Sequence, residues 1–331
     1  MRTATAGEEF KDDFRKALPK ELVQRLTRRS GWRATLPILE DLAVIALAAA
    51  VALAYWFSLP ITILCVLIIG VKQHALFVIA HDSAHYLLYE NRKLNDLVGR
   101  ACATLQGLSM CTYRVIHRLH HNNLYGELDP DTALHGGYPR GRSYLIKKLL
   151  KDLSGVTAWK TYAYFLGGAP GLNTKTNIAL RPLDDTSEKL RSDALSDRNL
   201  VIVFHVIALG AAAWSGYLLQ YLVLWILPLV TVVQAILRLR AIAEHGATTD
   251  FSSPLTAART NLAPAWLEWL IFPHHVNYHI EHHLYASVPH YNLPGLHREM
   301  ASRNVLDGAE VIPFSATLGK IFSEKRTATS A

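Results

Sequence analysis

Two long uncharged blocks dominate the hydropathy pattern of this chain of 331 residues. Residues 42–71 contain no charged side chain, and residues 200–237 form a second, longer block of the same kind. A membrane-spanning helix needs about 20 apolar residues. Each block is much longer than one span, so we interpret each as the greater part of two helices joined by a tight turn. Turns are predicted near residues 58–60 and 215–220, where Ser, Pro and Gly occur. The pattern therefore predicts an all-α integral membrane protein with four transmembrane helices in two hairpins.

The two blocks divide the chain into five segments. These are a cytosolic or interfacial N-terminal segment (1–40), the first hairpin (41–80), cytosolic and interfacial helices (81–198), the second hairpin (199–240) and a cytosolic C-terminal cap (241–331). Nearly all of the charged residues lie outside the two hairpins. We therefore expect the hairpins to cross the bilayer and the other segments to lie at one of its faces.

Lysine and arginine flank the apolar blocks but are missing from the short turns inside them. Eight of these residues lie between positions 11 and 33, and Arg238 and Arg240 follow the second block. By the positive-inside rule, both termini and the central segment are predicted to be cytoplasmic, in what we expect to be a bacterial inner membrane. The formal net charge of +7 then reflects topology and anionic headgroups, and no nucleic-acid partner is expected.

Histidines recur at helical spacing just beyond the apolar blocks. The segments are HDSAH (81–85), HRLHH (117–121) and HIEHH (279–283). Positions three and four residues apart share one face of a helix, so each segment presents its imidazoles together. The second predicted span ends beside His81, and the fourth ends a few residues before His245. The topology therefore brings the three segments and His245 to the same face of the membrane.

Nine imidazoles at one membrane face are more than a single metal ion uses. The candidate ligands are His81, His85, His117, His120, His121, His245, His279, His282 and His283. Neutral imidazole binds zinc, copper, iron and nickel, and this number of nitrogens suits two ions. A hydrolytic zinc site normally has three protein ligands and one open position, so two irons explain the set better.

Carboxylates beside these histidines are candidates for orienting them. A ligand histidine commonly donates its other ring N–H to a carboxylate, which fixes the tautomer. The candidates for this role are Asp82, Glu244 and Glu281, with Asp129 and Asp131 as looser choices. Simpler roles are assigned to the other histidines: packing for His205, loops or local hydrogen bonds for His135, His290 and His297, and mainly positions behind the ligands or on the surface for His274 and His275.

The three histidine segments resemble the signature of the membrane fatty acid desaturase superfamily. The context NYHIEHHLYASVPHYNLPGLH is similar to the third histidine box of acyl-lipid desaturases, and the resemblance covers roughly residues 40–300. It implies four transmembrane helices, a cytosolic cap, a non-haem diiron centre, O2 as co-substrate and a hydrophobic tunnel for an acyl chain. Carried over by position, it implies that the nine histidines named above are the iron ligands.

Two departures from the acyl-CoA desaturases narrow the resemblance. The first box is HxxxH rather than their longer HxxxxH, which favours acyl-lipid desaturases, sphingolipid enzymes and carotenoid ketolases. Stearoyl-CoA-type enzymes also carry an Asn one turn before the extra histidine; here that position is Ala241, and Asn277 is the candidate substitute. No cytochrome b5 motif occurs in the sequence, so we expect a separate donor of the ferredoxin, rubredoxin or cytochrome b5 type.

The sequence therefore predicts an O2-dependent desaturase of a lipid or fatty acyl chain. A hydroxylase, ketolase or oxidative decarboxylase on the same diiron scaffold is the nearest alternative, because these reactions share the first hydrogen abstraction. A non-catalytic metal-binding membrane protein is a third alternative, disfavoured because the ligands gather at the membrane edge rather than along a path through it. The sequence leaves open the head group, the chain length, the position of attack and the oligomeric state.

Overall fold

The computed structural model describes residues 16–126, 129–167, 183, 186–251 and 253–324, and these are mostly helical. The helices are α1 (Lys20–Leu26), α2 (Gly31–Ala54), α3 (Leu59–Ala84), α4 (Arg92–Leu105), α5 (Met110–Asn122), α6 (Thr132–His135), α7 (Arg142–Leu153), α8 (Ala158–Phe165), α9 (Glu188–Trp214), α10 (Leu218–His245), α11 (Pro254–Ala257), α12 (Ala265–Ile271), α13 (His279–Leu284), α14 (Leu293–Ser302) and α15 (Phe314–Ile321). The strands β1 (Thr260–Leu262) and β2 (Val311–Pro313) pair in parallel. Helix α10 contains a π-helical turn at Leu222–Ile226.

Four of the described helices, α2, α3, α9 and α10, are long and apolar enough to cross a membrane. Each overlaps one of the four spans predicted from hydropathy, but the bounds differ: α2 and α9 end a few residues earlier, at Ala54 and Trp214, and the polar ends of all four helices extend further. Helix α3 continues to Ala84, and α9 begins at Glu188, where the Ser187 side chain accepts a hydrogen bond from the backbone N–H of Leu190. Hydropathy marks only the apolar part of a helix, whereas backbone hydrogen bonding continues to the capping residue.

Helix α3 lies at the centre of the bundle. In its apolar stretch 78% of the residues are buried, against 17% for α9. Every residue from 69 to 84 is buried. At Gly70 an added Cβ would lie 2.5 Å from Cβ of Val232, so the glycine allows α10 to pack directly against α3. The core thus carries the first histidine box on its innermost helix.

Helix α9 is attached mainly through its polar first half. The carboxylate of Asp197 accepts a hydrogen bond from the backbone N–H of Cys111 at 2.7 Å and pairs with Arg100 at 2.9 Å. Further along, Val206 and Ile207 are each more than 60% exposed. Apolar side chains on the outer face of a spanning helix are typical of lipid contact.

The C-terminal segment is joined to the polar end of α10 by a buried arginine. Arg259 is fully buried; its Nε lies 2.9 Å from the Glu310 carboxylate, and its guanidinium donates to the carbonyls of Ala243, Gly246 and Ala247. A buried charge needs such complete pairing. These contacts fix the chain around His245 where α10 ends.

Candidate metal centre

The nine predicted histidines lie in two adjacent clusters at the polar ends of α3 and α10. The five-histidine cluster contains His81, His85, His117, His121 and His282, and the four-histidine cluster contains His120, His245, His279 and His283. Within each cluster, one ring nitrogen of every residue lies within 4.8 Å of all the others. All of the rings are buried except that of His85, which is half-buried. Both clusters have donor sets that are able to hold a metal ion.

Two helices, α5 and α13, contribute to both clusters. Consecutive residues on a helix are rotated by about 100°, so adjacent histidines point in different directions. On α5, His120 faces the four-histidine cluster while His121 faces the five-histidine cluster. On α13, His282 faces the five-histidine cluster and His283 faces the four-histidine cluster. The paired histidines of each HxxHH segment thus provide one donor to each cluster.

The donor nitrogens have the spacing of ligands around an ion. The Nε2 atoms of His121 and His117 are 3.0 Å apart, and those of His279 and His283 are 3.1 Å apart. Adjacent donors around an octahedral ion are about 3.0 Å apart when the metal–nitrogen distance is about 2.1 Å. Neutral imidazoles that meet through Nε2 cannot all donate to one another. A shared cation would account for the arrangement.

Burial favours the neutral form of these rings and leaves some of their nitrogens unpaired. For His120, burial is outweighed by the hydrogen bond to Asp129 and by nearby carboxylates, which raise the pKa. Nε2 of His81 and Nε2 of His85 are buried and have no hydrogen-bond partner among the described residues. Desolvation lowers the pKa of His85 to about 3, and desolvation with neighbouring histidines holds the pKa of His117 and His282 well below the usual value. Neutral imidazole is the form that ligates metals. The residues present therefore fit a pair of nitrogen-ligated ions.

Asp82 holds His81 from behind and is itself held by His290. One carboxylate oxygen lies 3.2 Å from Nδ1 of His81; the other accepts from the backbone N–H of His290 at 3.2 Å and lies 2.9 Å from its Nδ1. The sequence prediction gave His290 only a local hydrogen bond. No spacing rule connects His290 to the first box, because the contact joins residues 208 positions apart.

Asp129 holds His120 in the same way. Its Oδ1 lies 2.9 Å from Nδ1 of His120, and the carboxylate also accepts from the backbone N–H groups of Tyr125 and Asp131. Burial opposes ionisation of Asp129, but these hydrogen bonds and nearby histidines hold its pKa below the ordinary value. The Asp131 carboxylate is 3.9 Å from Nδ1 of His120, too far for a hydrogen bond.

Glu281 and Asn277 bond to other parts of the fold. Glu281 accepts from the Thr260 hydroxyl at 2.6 Å and lies 2.5 Å from Nδ1 of His297, rather than orienting a cluster histidine. Asn277 donates to the backbone carbonyl of Asn261 at 3.0 Å. Both side chains stabilise the packing of α13 against β1. Spacing placed them near the third box, but the direction of each side chain depends on its tertiary partner.

Glu244 approaches the four-histidine cluster from the side of the donor nitrogens. Its Oε2 lies 3.8 Å from Nε2 of His279, and its Oε1 lies 3.1 Å from Nε of Arg240. Sequence analysis placed Glu244 behind a ring, as an acceptor for the second N–H. In the structure it lies on the Nε2 side of the His279 ring instead.

His135, which was assigned to a loop, lies against the four-histidine cluster. It is 1% exposed, its ring centroid is 4.9 Å from that of His245, and its Nε2 is 3.8 Å from the Asp129 carboxylate. With His120 and Asp129 it forms a third group able to hold a cation. Its sequence context offers no helical spacing to another histidine.

A cavity of about 1310 Å³ opens beside the clusters and is lined in part by four of their histidines. The cluster residues in its wall are His85, His117, His121 and His283. Its other walls carry charged side chains of both signs, namely Asp96, Arg100, Arg114, Arg118, Lys189, Asp193 and Asp197. Apolar side chains such as Met110, Leu119 and Leu190 make up the larger part of the lining. Among the described residues, the approach to the clusters through this cavity is therefore mainly apolar, with charged side chains along it.

Sequence comparison assigns the chain that carries these clusters to a family. A family model described as "Fatty acid desaturase" matches residues 57–312. The chain belongs to the fatty acid desaturase family. All nine cluster histidines lie within the matched residues, and membership makes the protein a desaturase-like oxidoreductase.

Relatives of this desaturase family member are named for different substrates. A dihydrorhizobitoxine desaturase of Bradyrhizobium elkanii is 27% identical over 262 residues, covering 76% of this chain and 70% of the relative. An sn-1 acyl-lipid omega-3 desaturase (ferredoxin) of Nostoc sp. (strain 36) is 27% identical over 300 residues, covering 85% and 77%. For a chloroplastic omega-3 fatty acid desaturase of Ricinus communis the identity is 27% over 301 residues, and the chain spans 61% of that relative.

Proposed function

We propose that this protein is an O2-dependent desaturase of a lipid or fatty acyl chain that uses two iron ions. The observation that carries the proposal is the meeting of nine histidines in clusters of five and four, within a member of the desaturase family. When bound, a reduced diiron pair supplies O2 activation and the removal of hydrogen from an unactivated C–H bond. All nine histidines are proposed as its ligands.

The contribution of the chain is to hold its donors rigidly and out of water. Helices α5 and α13 fix histidines of both clusters, and Asp82 and Asp129 fix the tautomers of His81 and His120 through Nδ1. Ligands held from behind in this way bind metal more tightly. Burial of the rings keeps water from competing for the reactive position. The carbon that meets the site is then set by how the substrate lies in the cavity.

The reaction requires an external electron donor. Forming one double bond releases two hydrogen atoms from the substrate, and reducing O2 to two water molecules needs two further electrons and two protons. We propose a donor of the ferredoxin type, since one relative is named as a ferredoxin-dependent enzyme. We also propose that both termini and the central segment are cytoplasmic, in a bacterial inner membrane, on the basis of the lysine and arginine distribution.

Product analysis tests the proposed function. The purified protein, loaded with Fe²⁺ and supplied with ferredoxin, its reductase and acyl-lipid substrates, should give products that lack two hydrogens, as seen by mass spectrometry. His120→Ala should abolish the reaction, whereas His205→Ala, at a histidine outside both clusters, should retain it. A product that gains oxygen instead would establish the hydroxylase or ketolase alternative, and loss of carbon dioxide would establish the decarboxylase. Binding of exchangeable zinc or copper without turnover would favour the non-catalytic alternative.

A small polar substrate is the second candidate. The wall of the cavity that reaches the clusters carries charged side chains of both signs among a larger apolar lining, and one relative is named for dihydrorhizobitoxine rather than for a fatty acid. Polar groups of a small substrate would pair with these charged side chains better than an alkyl chain does. Comparing water-soluble metabolites with lipids in cells that do or do not express the protein separates the two candidates.

A further inference from the structure

One cationic side chain in the wall of the cavity beside the clusters has no counter-charge among the described residues. This wall includes four cationic and three acidic side chains, and all of them except Arg118 form ion pairs with one another. We propose that Arg118 binds a negatively charged group of the substrate, a carboxylate or a phosphate, while the apolar part of the substrate fills the rest of the cavity. The inference rests on the proposed function, because it takes this cavity as the place where the substrate reaches the clusters.

The pairing of the other charges is the first support. Each acidic side chain in the wall already has a cationic partner. These pairs are Arg100 with Asp197 at 2.9 Å, Arg114 with Asp96 at 2.6 Å and Lys189 with Asp193 at 2.8 Å. The guanidinium of Arg118 has no hydrogen bond or ion pair with any described residue. The wall therefore has an excess of one positive charge, and an anion that enters the cavity is attracted to it.

The position of Arg118 is the second support. It lies on α5 between His117 and His121, which belong to the five-histidine cluster and also line the cavity. Asn122, one turn further along the same helix, lines the cavity as well, and its exposed amide has no hydrogen bond to a described residue. Side chains four residues apart are neighbours on a helix surface, so Arg118 and Asn122 are able to donate to one anion. That anion would then lie along the helix that carries two of the proposed metal ligands.

The composition of the remaining wall is the third support. Its larger part is apolar and includes Met110, Leu119 and Leu190. Ligand cavities commonly combine apolar walls with a few polar groups that fix the orientation of the ligand. A guanidinium matches the geometry of a carboxylate or a phosphate and binds it through charge-assisted hydrogen bonds. An amphiphile with one anionic group therefore fits this cavity better than an uncharged lipid does.

Binding of matched amphiphiles tests the assignment without turnover. Protein loaded with Fe²⁺ in nanodiscs of zwitterionic lipid is kept anaerobic and titrated calorimetrically, against empty nanodiscs, with decanoate, decyl phosphate and decanol. Wild-type protein should bind at least one of the two anions about tenfold more tightly than decanol, and the tighter anion identifies a carboxylate or a phosphate as the charged group. Arg118→Gln should abolish this preference, whereas Arg118→Lys, which keeps the charge, should retain most of it.

The matched control is Arg298, an exposed arginine on α14 that does not line the cavity. Arg298→Gln removes the same charge and should leave the preference for the anion intact. Equal binding of the anions and decanol by wild-type protein overturns the proposal, and this comparison holds even if Arg118→Gln does not fold. A preference that persists in Arg118→Gln, or an equal loss in Arg298→Gln, overturns it as well. Protein that binds the anion through Arg118 but forms no desaturated product overturns the proposed function instead.

Discussion

At the residue scale, the site depends on carboxylates that fix histidine tautomers. Asp129 contacts Nδ1 of His120 and accepts two backbone N–H groups as well, so its oxygens are held in place. When Nδ1 of His120 is hydrogen-bonded to Asp129, Nε2 on the opposite side of the ring faces the cluster. The orientation of the ligand is therefore determined outside the ligand itself.

Removing this carboxylate charge should weaken metal binding selectively. We expect Asp129→Asn to lower the affinity of the ion in the four-histidine cluster by about 10- to 100-fold. The amide oxygen would accept the Nδ1 hydrogen of His120 less strongly than a carboxylate does, and the amide N–H would favour the tautomer with its hydrogen on Nε2. Anaerobic Fe²⁺ titration measures the loss. Asp131→Asn is the control, since that side chain is 3.9 Å from Nδ1 of His120; a comparable loss in both variants would contradict the specific role of Asp129.

Acid should destabilise the metal-free protein. Desolvation lowers the pKa of His85 to about 3 and holds the pKa of His121 and His279 well below normal, whereas in the unfolded chain these residues titrate near pH ~6.5. Below that pH the unfolded state binds more protons than the folded state, so stability falls as pH falls. Thermal unfolding of apo protein between pH 7.5 and about 5 should show a declining Tm. A flat profile would mean that the rings are not desolvated.

At the scale of helices and strands, prediction from sequence succeeded where a pattern is local. The uncharged blocks predicted four spans, and the HxxHH spacing predicted helices whose faces carry histidine. The start of α9 at Glu188 and the short β1–β2 pair were missed. The α9 extension is charged, and the strands are three residues long and depend on a partner from a distant part of the chain.

Packing between α3 and α10 can be tested with two glycines. An added Cβ at Gly70 would lie 2.5 Å from Cβ of Val232, whereas at Gly210 it would meet nothing within 4 Å. We expect Gly70→Ala to destabilise the protein by about 1–3 kcal/mol through overpacking and Gly210→Ala to be neutral or slightly stabilising. Thermal unfolding in the same detergent compares the two. Equal shifts would indicate that the helices do not pack this closely.

A buried ion pair connects α2 to α3 and to the C-terminal segment. Nζ of Lys72 lies 2.9 Å from the fully buried Asp41 carboxylate, which is also 2.8 Å from Nε2 of His274. Asp41→Ala leaves Lys72 buried without its nearest counter-charge and should cost about 3–5 kcal/mol. Glu40→Ala removes the exposed partner of the same lysine and should cost about 0–1 kcal/mol. The difference in unfolding free energy between the two variants is the quantity to measure.

At the scale of the whole molecule, four distant parts of the chain meet in two clusters. The sequence named the nine histidines as candidate ligands, and the structure groups them, but their division into five and four depends on how α5 and α13 are rotated against α3. For the same reason His135 and His290, which lie in no histidine box, entered the surroundings of the site only with the tertiary structure. Glu281 was expected to orient a cluster histidine, but its carboxylate oxygens are hydrogen-bonded to Thr260 and His297 instead.

The attachment of α9 has a consequence for handling the protein. Its charged half is bonded to α4 and α5 through Asp197, while its apolar half contacts little of the remaining protein. We therefore expect annular lipids to complete the packing that neighbouring helices provide elsewhere. Harsh delipidation should loosen the second half of α9 before any other spanning helix, and hydrogen–deuterium exchange would locate that loss around residues 202–214.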